Sequence, residues 1–129
     1  MHAVDTNVLV RLLTGDDKKQ TLRVATLFKK ENIFIPKTVL LETEWVLRRL
    51  YRLDSAVIVD AFRKLTSLSN VEVEHAQLIQ QALQWCESGM DFADALHIAS
   101  STNSQRFATF DEKLKKSAPR GIKPGVQLL

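Results

Sequence analysis

The chain has 129 residues and a mass of 14.6 kDa, one domain's length, and its 45% hydrophobic and 26% charged residues exclude a wholly disordered chain. Its one cysteine, Cys86, excludes an internal disulfide and a cysteine-built metal centre, and points to a reducing, cytoplasmic setting. The net charge of +3 is concentrated at the end of the chain, where residues 105–129 carry six Lys or Arg against Asp111 and Glu112. The opening residues reach Asp5 before any long apolar run, and no later stretch is apolar for the ~18 residues a membrane span needs, so neither a signal peptide nor a span is expected.

In chain order, His2-Ala3-Val4 reads as a buried strand that stops at Asp5-Thr6-Asn7. Val8 to Leu13 predicts a short helix closed by Thr14-Gly15. A second helix starts at Asp16-Asp17 and runs to about Lys30, with Leu22, Ala25 and Phe28 facing inward. Ile33-Phe34-Ile35 is a second strand, ended by Pro36. Thr38 is placed to cap a helix whose apolar face is Leu41, Trp45, Val46, Leu47 and Leu50, with Arg48, Arg49 and Arg52 as a basic stripe opposite. Asp54 or Ser55 caps the next helix, with Ala56, Val59, Phe62 and Leu65 inward. Val71-Glu72-Val73 is a strand. His75 to Ser88 is helical, with Cys86 on its apolar stripe and Gly89 as its stop. Asp91 opens a helix to about Ser101, Arg106 to Phe110 is a strand, Asp111 caps a helix to about Lys116, and Val126-Gln127-Leu128 forms a last strand. Short apolar strands alternating with helices predict parallel β–α units, hence an α/β three-layer α/β/α sandwich with a short parallel central sheet, in one domain spanning 1–129.

Ligand sites in such sheets lie at the carboxyl ends of strands. Asp5 and Asp111 directly follow strands there. Glu42 lies early in the helix after the second strand, and Asp94 follows Asp91 by one turn. These acids come from separate segments toward one expected edge, with apolar neighbours and no evident basic partner. Crowded carboxylates of that kind call for a cation. An all-carboxylate set suits a hard ion, Mg²⁺ or Mn²⁺, and the scattered His2, His75 and His97 argue against zinc. Each acid also has a plain structural reading. Asp91 and Asp111 are natural helix caps, Glu42 gains from a helix dipole, and Glu44 stands four before Arg48 as a surface ion pair. His97 falls within reach of Asp94, although packing or capping explains it as well.

Val4-Asp5-Thr6-Asn7-Val8-Leu9, Leu40-Leu41-Glu42-Thr43-Glu44-Trp45-Val46-Leu47, Asp91-Phe92-Ala93-Asp94-Ala95-Leu96 and Thr109-Phe110-Asp111 together resemble the four acidic motifs of PIN-domain nucleases, and within them the VapC-type toxins. The resemblance spans residues 4–111. It implies a metal-dependent endoribonuclease held inactive by a cognate antitoxin and working as a homodimer. By the same resemblance, Asp5, Glu42, Asp94 and Asp111 are the catalytic acids, and Asp5, Asp94 and Asp111 chiefly hold Mg²⁺ or Mn²⁺. Glu42, not Glu44, is the match, because it stands three before Trp45 as the family's glutamate stands before its aromatic. Asp91 is a supporting acid. Thr6 or Thr109 is placed to hydrogen-bond a carboxylate or the substrate, and Asn7 to hold the turn that aims Asp5. Lys113, Lys115, Lys116 and Arg120 form the expected track for the RNA backbone. Most aromatics fall at core spacing, which gives little support for base stacking.

Two other readings remain to be separated from this one. A PIN-like module without catalysis would serve interaction alone. A phospho-accepting receiver domain has similar length and class, but it needs an acidic pair after the first strand, and here a single Asp5 precedes Thr6-Asn7 while Asp54 sits between helices.

Overall fold

A computed structural model describes residues 1–129, which divide into two compact units, Met1–His75 and Ala76–Leu129. In the first unit the order is β1 (His2–Ala3), α1 (Thr6–Thr14), α2 (Lys18–Lys30), β2 (Ile33–Ile35), α3 (Lys37–Arg49), α4 (Ser55–Thr66) and β3 (Val71–Val73). The second holds α5 (Ala76–Glu87), α6 (Phe92–Ala99), β4 (Arg106–Thr109), α7 (Glu112–Ser117) and β5 (Gly125–Leu128). No helix is long and apolar enough to cross a membrane.

The α/β class read from the sequence holds, and every strand pairing is parallel. In the first unit β2 is central, with His2 opposite Ile33 on one side and Ile33 opposite Val71 on the other. In the second unit β4 and β5 pair alone, Arg106 opposite Gly125 and Thr109 opposite Leu128, with α7 as the crossover that a parallel pair requires. Leu9, Val10, Ile33, Ile35, Leu40, Leu47, Ile58 and Phe62 are buried in the first unit, and Ile79, Leu83, Cys86, Phe92, Ala95 and Ile98 in the second.

Helix ends follow local chemistry. The Asp5 and Asp17 side chains accept from the amides of Val8 and Gln20, at 3.1 and 3.0 Å, and so satisfy orphan donors at the starts of α1 and α2. Gly15 closes α1 in the left-handed region at φ 64°, where a side chain would be strained. The Asn70 amide donates to the Phe28 and Glu31 carbonyls and ties the end of α2 to the loop before β3.

Four expectations are corrected. Thr38 does not cap α3. Pro36 occupies the cap position without a side-chain bond, and the Glu74 carboxylate accepts from the Lys37 amide at 2.8 Å instead. The inward stripe of α3 is Leu40, Thr43, Glu44 and Leu47, one turn-spaced set, while Trp45 and Leu50 are exposed. On α2 and α4 the buried residues are Val24 and Phe28, then Ile58, Val59, Phe62 and Leu65, so Leu22 and Ala56 face solvent. Glu44 pairs with Arg48 as expected, but the pair is not at the surface. Its carboxylate is only 5% exposed, and the Arg48 Nε donates to it at 2.9 Å. Arg48 is thereby removed from the basic stripe.

Candidate active site

In the first unit Asp5 lies one residue beyond Val4 after β1, and its Oδ1 is held by the Val8 amide. The next residue, buried Thr6, donates its hydroxyl to Oε1 of Glu42 on α3. Two of the four motif acids are therefore brought together, because α3 packs beside α1 and Thr6 ties one carboxylate to the start of the helix that the other caps. In each carboxylate one oxygen has a protein donor and the second has none. Beside Asp5 lies a cleft of about 480 Å³ between α1 and α2, lined also by Asn7, Arg11, Gln20 and Arg23. The Arg11 guanidinium is held there by Gln20 at 2.6 Å and Asp16 at 3.3 Å. No spacing rule in the sequence singles out Arg11 or Arg23 for this position.

In the second unit Asp91 caps α6, accepting from the Asp94 amide at 3.0 Å. Asp111 caps α7 with one oxygen, which accepts from Lys113 N at 2.9 Å and Leu114 N at 3.1 Å. Asp94 lies among these acids. Burial holds its carboxyl above the ordinary value, the charges of Asp91 and Asp111 add to the effect, and His97 one turn along α6 opposes it. Thr109 accepts the Asp111 amide at 3.0 Å, so it steadies the loop that carries the acid rather than the carboxylate itself. Thr6 alone of the two threonines bonds a carboxylate. His97 is exposed, neither packed nor capping.

No Lys or Arg pairs with Asp5, Glu42, Asp94 or Asp111, whereas Arg11, Arg48 and Lys64 pair with Asp16, Glu44 and Asp60. In neither unit do three His, Cys, Asp or Glu side chains stand close enough to hold a metal ion among themselves. The chemistry of the donors is nonetheless uniform: hard carboxylate oxygens, each acid tied to its neighbours by at most one of its two oxygens. Of the expected RNA contacts, Lys113, Lys116 and Arg120 are exposed and without partners, whereas Lys115 donates to the Val126 carbonyl at 2.8 Å.

Parallel β–α units in which Asp5, Glu42, Asp94 and Asp111 form no ion pair define an α/β protein with acids near strand ends and helix starts in each unit. A family model of the PIN domain matches residues 3–118, and the chain belongs to that family. Among solved structures it is similar to that of Mycobacterium tuberculosis VapC20, described as a sarcin–ricin loop cleaving toxin. The identity is 25%, the match covers 96% of this chain and 98% of that one, and the TM-score is 0.46. No curated protein matches the chain. Family membership removes the receiver-domain reading; Asp54 is a helix-start residue between Leu53 and α4.

Proposed function

We propose that this PIN-domain chain is an endoribonuclease that hydrolyses RNA phosphodiester bonds with Mg²⁺ or Mn²⁺, and that it is the toxin of a toxin–antitoxin pair. The carrying observation is that within each unit two motif acids stand near one another without a basic partner: Glu42 beside the Asp5 helix start through Thr6, and Asp94 under the charges of Asp91 and Asp111. Crowded carboxylates with no lysine or arginine to neutralise them are suited to a hard divalent ion. In this reading Asp5, Asp94 and Asp111 would hold the ion and Glu42 would orient the attacking water. When bound, the ion supplies acidified water and neutralises charge on the phosphorane-like transition state.

The chain's own residues do the positioning. The Val8 amide fixes Asp5, the Lys113 and Leu114 amides fix Asp111, and the Thr6 hydroxyl fixes Glu42, so each carboxylate is pre-set with an oxygen to spare. Preset geometry lowers the reorganisation that the reaction requires. Asp91 holds the first turn of α6 and keeps Asp94 in place. Lys113, Lys116 and Arg120 attract the RNA backbone. A cognate antitoxin neutralises the toxin, and the active form is a homodimer, in the cytoplasm.

The test is cleavage of structured RNA by the full chain with Mg²⁺ or Mn²⁺, against Asp5→Asn and against EDTA. Asparagine keeps the cap on Val8 but removes the charge, so the fold stays while cleavage falls by roughly 100-fold or more. RNA left intact by the parent chain with both ions would instead favour the module without catalysis.

A further inference from the structure

Arg106, Lys115 and Arg120 line one cleft of about 520 Å³ in the second unit, bounded by β4, β5, the end of α7 and the turn Pro119–Ile122, and no acid lines it. Arg106 and Arg120 have no ion pair or hydrogen bond within the protein. The Lys115 ammonium has three donors and gives one to the Val126 carbonyl. Gly125, opposite Arg106 in the β4–β5 register, makes the room. A Cβ there would stand 3.0 Å from the Arg106 guanidinium. Three cations brought together without a counter-charge repel one another, and an anion relieves that repulsion.

The other side of the same turn supports a more specific ligand. A second cleft of about 460 Å³ is lined by Gln77, Gln81, Trp85, Arg120 and Lys123. The side-chain amides of Gln77 and Gln81 carry no hydrogen bond to the protein, and Trp85 is half-buried, with part of its surface open. An aromatic surface with free amide donors and acceptors is the set that holds an unstacked base, and Arg120 borders both clefts.

We infer that the turn Pro119–Ile122 divides a nucleotide-binding site for single-stranded RNA, with a backbone phosphate among Arg106, Lys115 and Arg120 and a base against Trp85, Gln77 and Gln81. The inference rests on the reading of the chain as an RNA enzyme and adds a holding site beyond Asp111 along α7. Asp111 opens α7 and this site lies at its far end. The helix has six residues, and at 1.5 Å per residue the two are roughly 9 Å apart along it, near enough for one strand to reach both.

Binding is measured by fluorescence anisotropy with a short labelled single-stranded RNA in EDTA, on the full chain carrying Asp5→Asn so that no strand is cut. Adding Arg106→Gln and Arg120→Gln weakens binding roughly tenfold and lowers the slope of log K against log salt by about 1.4, two contacts at ~0.7 each for a single strand. Arg106→Lys with Arg120→Lys keeps the slope; its loss there as well would mark a structural effect and overturn the inference. Unchanged affinity and slope in the Gln pair would overturn it too, leaving these cations to an acidic protein partner. Inorganic polyphosphate, the competitor, displaces RNA only at higher phosphate concentration; equal competition would reduce the clefts to a general anion site and refute the nucleotide assignment. Failure of the parent chain to cleave RNA counts against the enzymatic reading alone, since this binding is read without cleavage.

Discussion

Glu42 and Glu44 stand two residues apart on α3 in opposite settings, one exposed and one buried, and one pair of variants separates the roles proposed for them. Glu44 is buried at 5% exposure and bonded to Arg48, which is 32% exposed. Arg48→Met keeps most of the apolar stem and removes the charge, which leaves the Glu44 carboxylate buried and uncompensated. Breaking a buried pair in this way costs about 3 kcal/mol, the low end of its range because Arg48 is partly solvated. With unfolding entropy of about 2.1 cal/mol/K per residue, a chain of 129 residues has a total near ~0.27 kcal/mol/K, so Tm falls by roughly 10 °C. Glu42→Gln keeps an acceptor for the Thr6 hydroxyl at an exposed position and shifts stability by about 0.5 kcal/mol. Its RNA cleavage is lost, while Arg48→Met cleaves normally well below its Tm. Thermal and urea unfolding by far-UV circular dichroism, beside the cleavage assay, reads both. An Arg48→Met chain within ~1 kcal/mol of the parent would refute the buried-pair argument, and a Glu42→Gln chain that still cuts would return Glu44 to consideration.

Asp94 has its carboxyl held above the ordinary value by burial, then by Asp91 and Asp111, so its charged form opposes folding as pH rises through that range. Asp94→Asn therefore raises the Tm of the chain in EDTA at neutral pH and leaves it unchanged near about pH 3, where the parent carboxyl is protonated in both states; equal Tm at neutral pH would show that the crowding is relieved some other way. Asp16 is the converse: the Tyr51 hydroxyl lowers it first, burial opposes, and Thr14 and Arg11 lower it further. Its contribution to stability is present above the unfolded pKa and disappears as pH falls through the lowered folded value. Tyr51→Phe moves the Asp16 titration back toward 3.8, which carboxyl NMR reads directly, and an unmoved titration would exclude the tyrosine as donor.

The reading of the elements from the sequence depended on punctuation that local chemistry enforces. Asp5, Asp17, Asp91 and Asp111 cap the helices they precede, and Gly15 closes α1. It went astray on α3, where apolar spacing alone pointed to Trp45 and Leu50. The stripe that is buried includes Thr43 and Glu44, whose polar groups are satisfied by the Val39 carbonyl at 2.7 Å and by Arg48, and no hydropathy pattern registers such bonds. Long-range polar contacts were equally illegible. Glu74 reaches the start of α3 from the far end of β3, and Thr6 meets Glu42 across thirty-six positions. The placement of Asp5, Asp91 and Asp111 at helix starts was legible from strand ends and flanking residues, but the division of the strands into two sheets was not, since parallel strands of two to four residues carry no mark of their neighbours.

Asp5, Asp91 and Asp111 each close the start of a helix as well as supplying charge, and asparagine does the first of these jobs as well as aspartate does. Drift from aspartate to asparagine in this gene would silence cutting while leaving the architecture standing. On the proposed reading, inert descendants would keep the parent's fold, so abundance of the folded polypeptide would be a poor guide to its cutting activity.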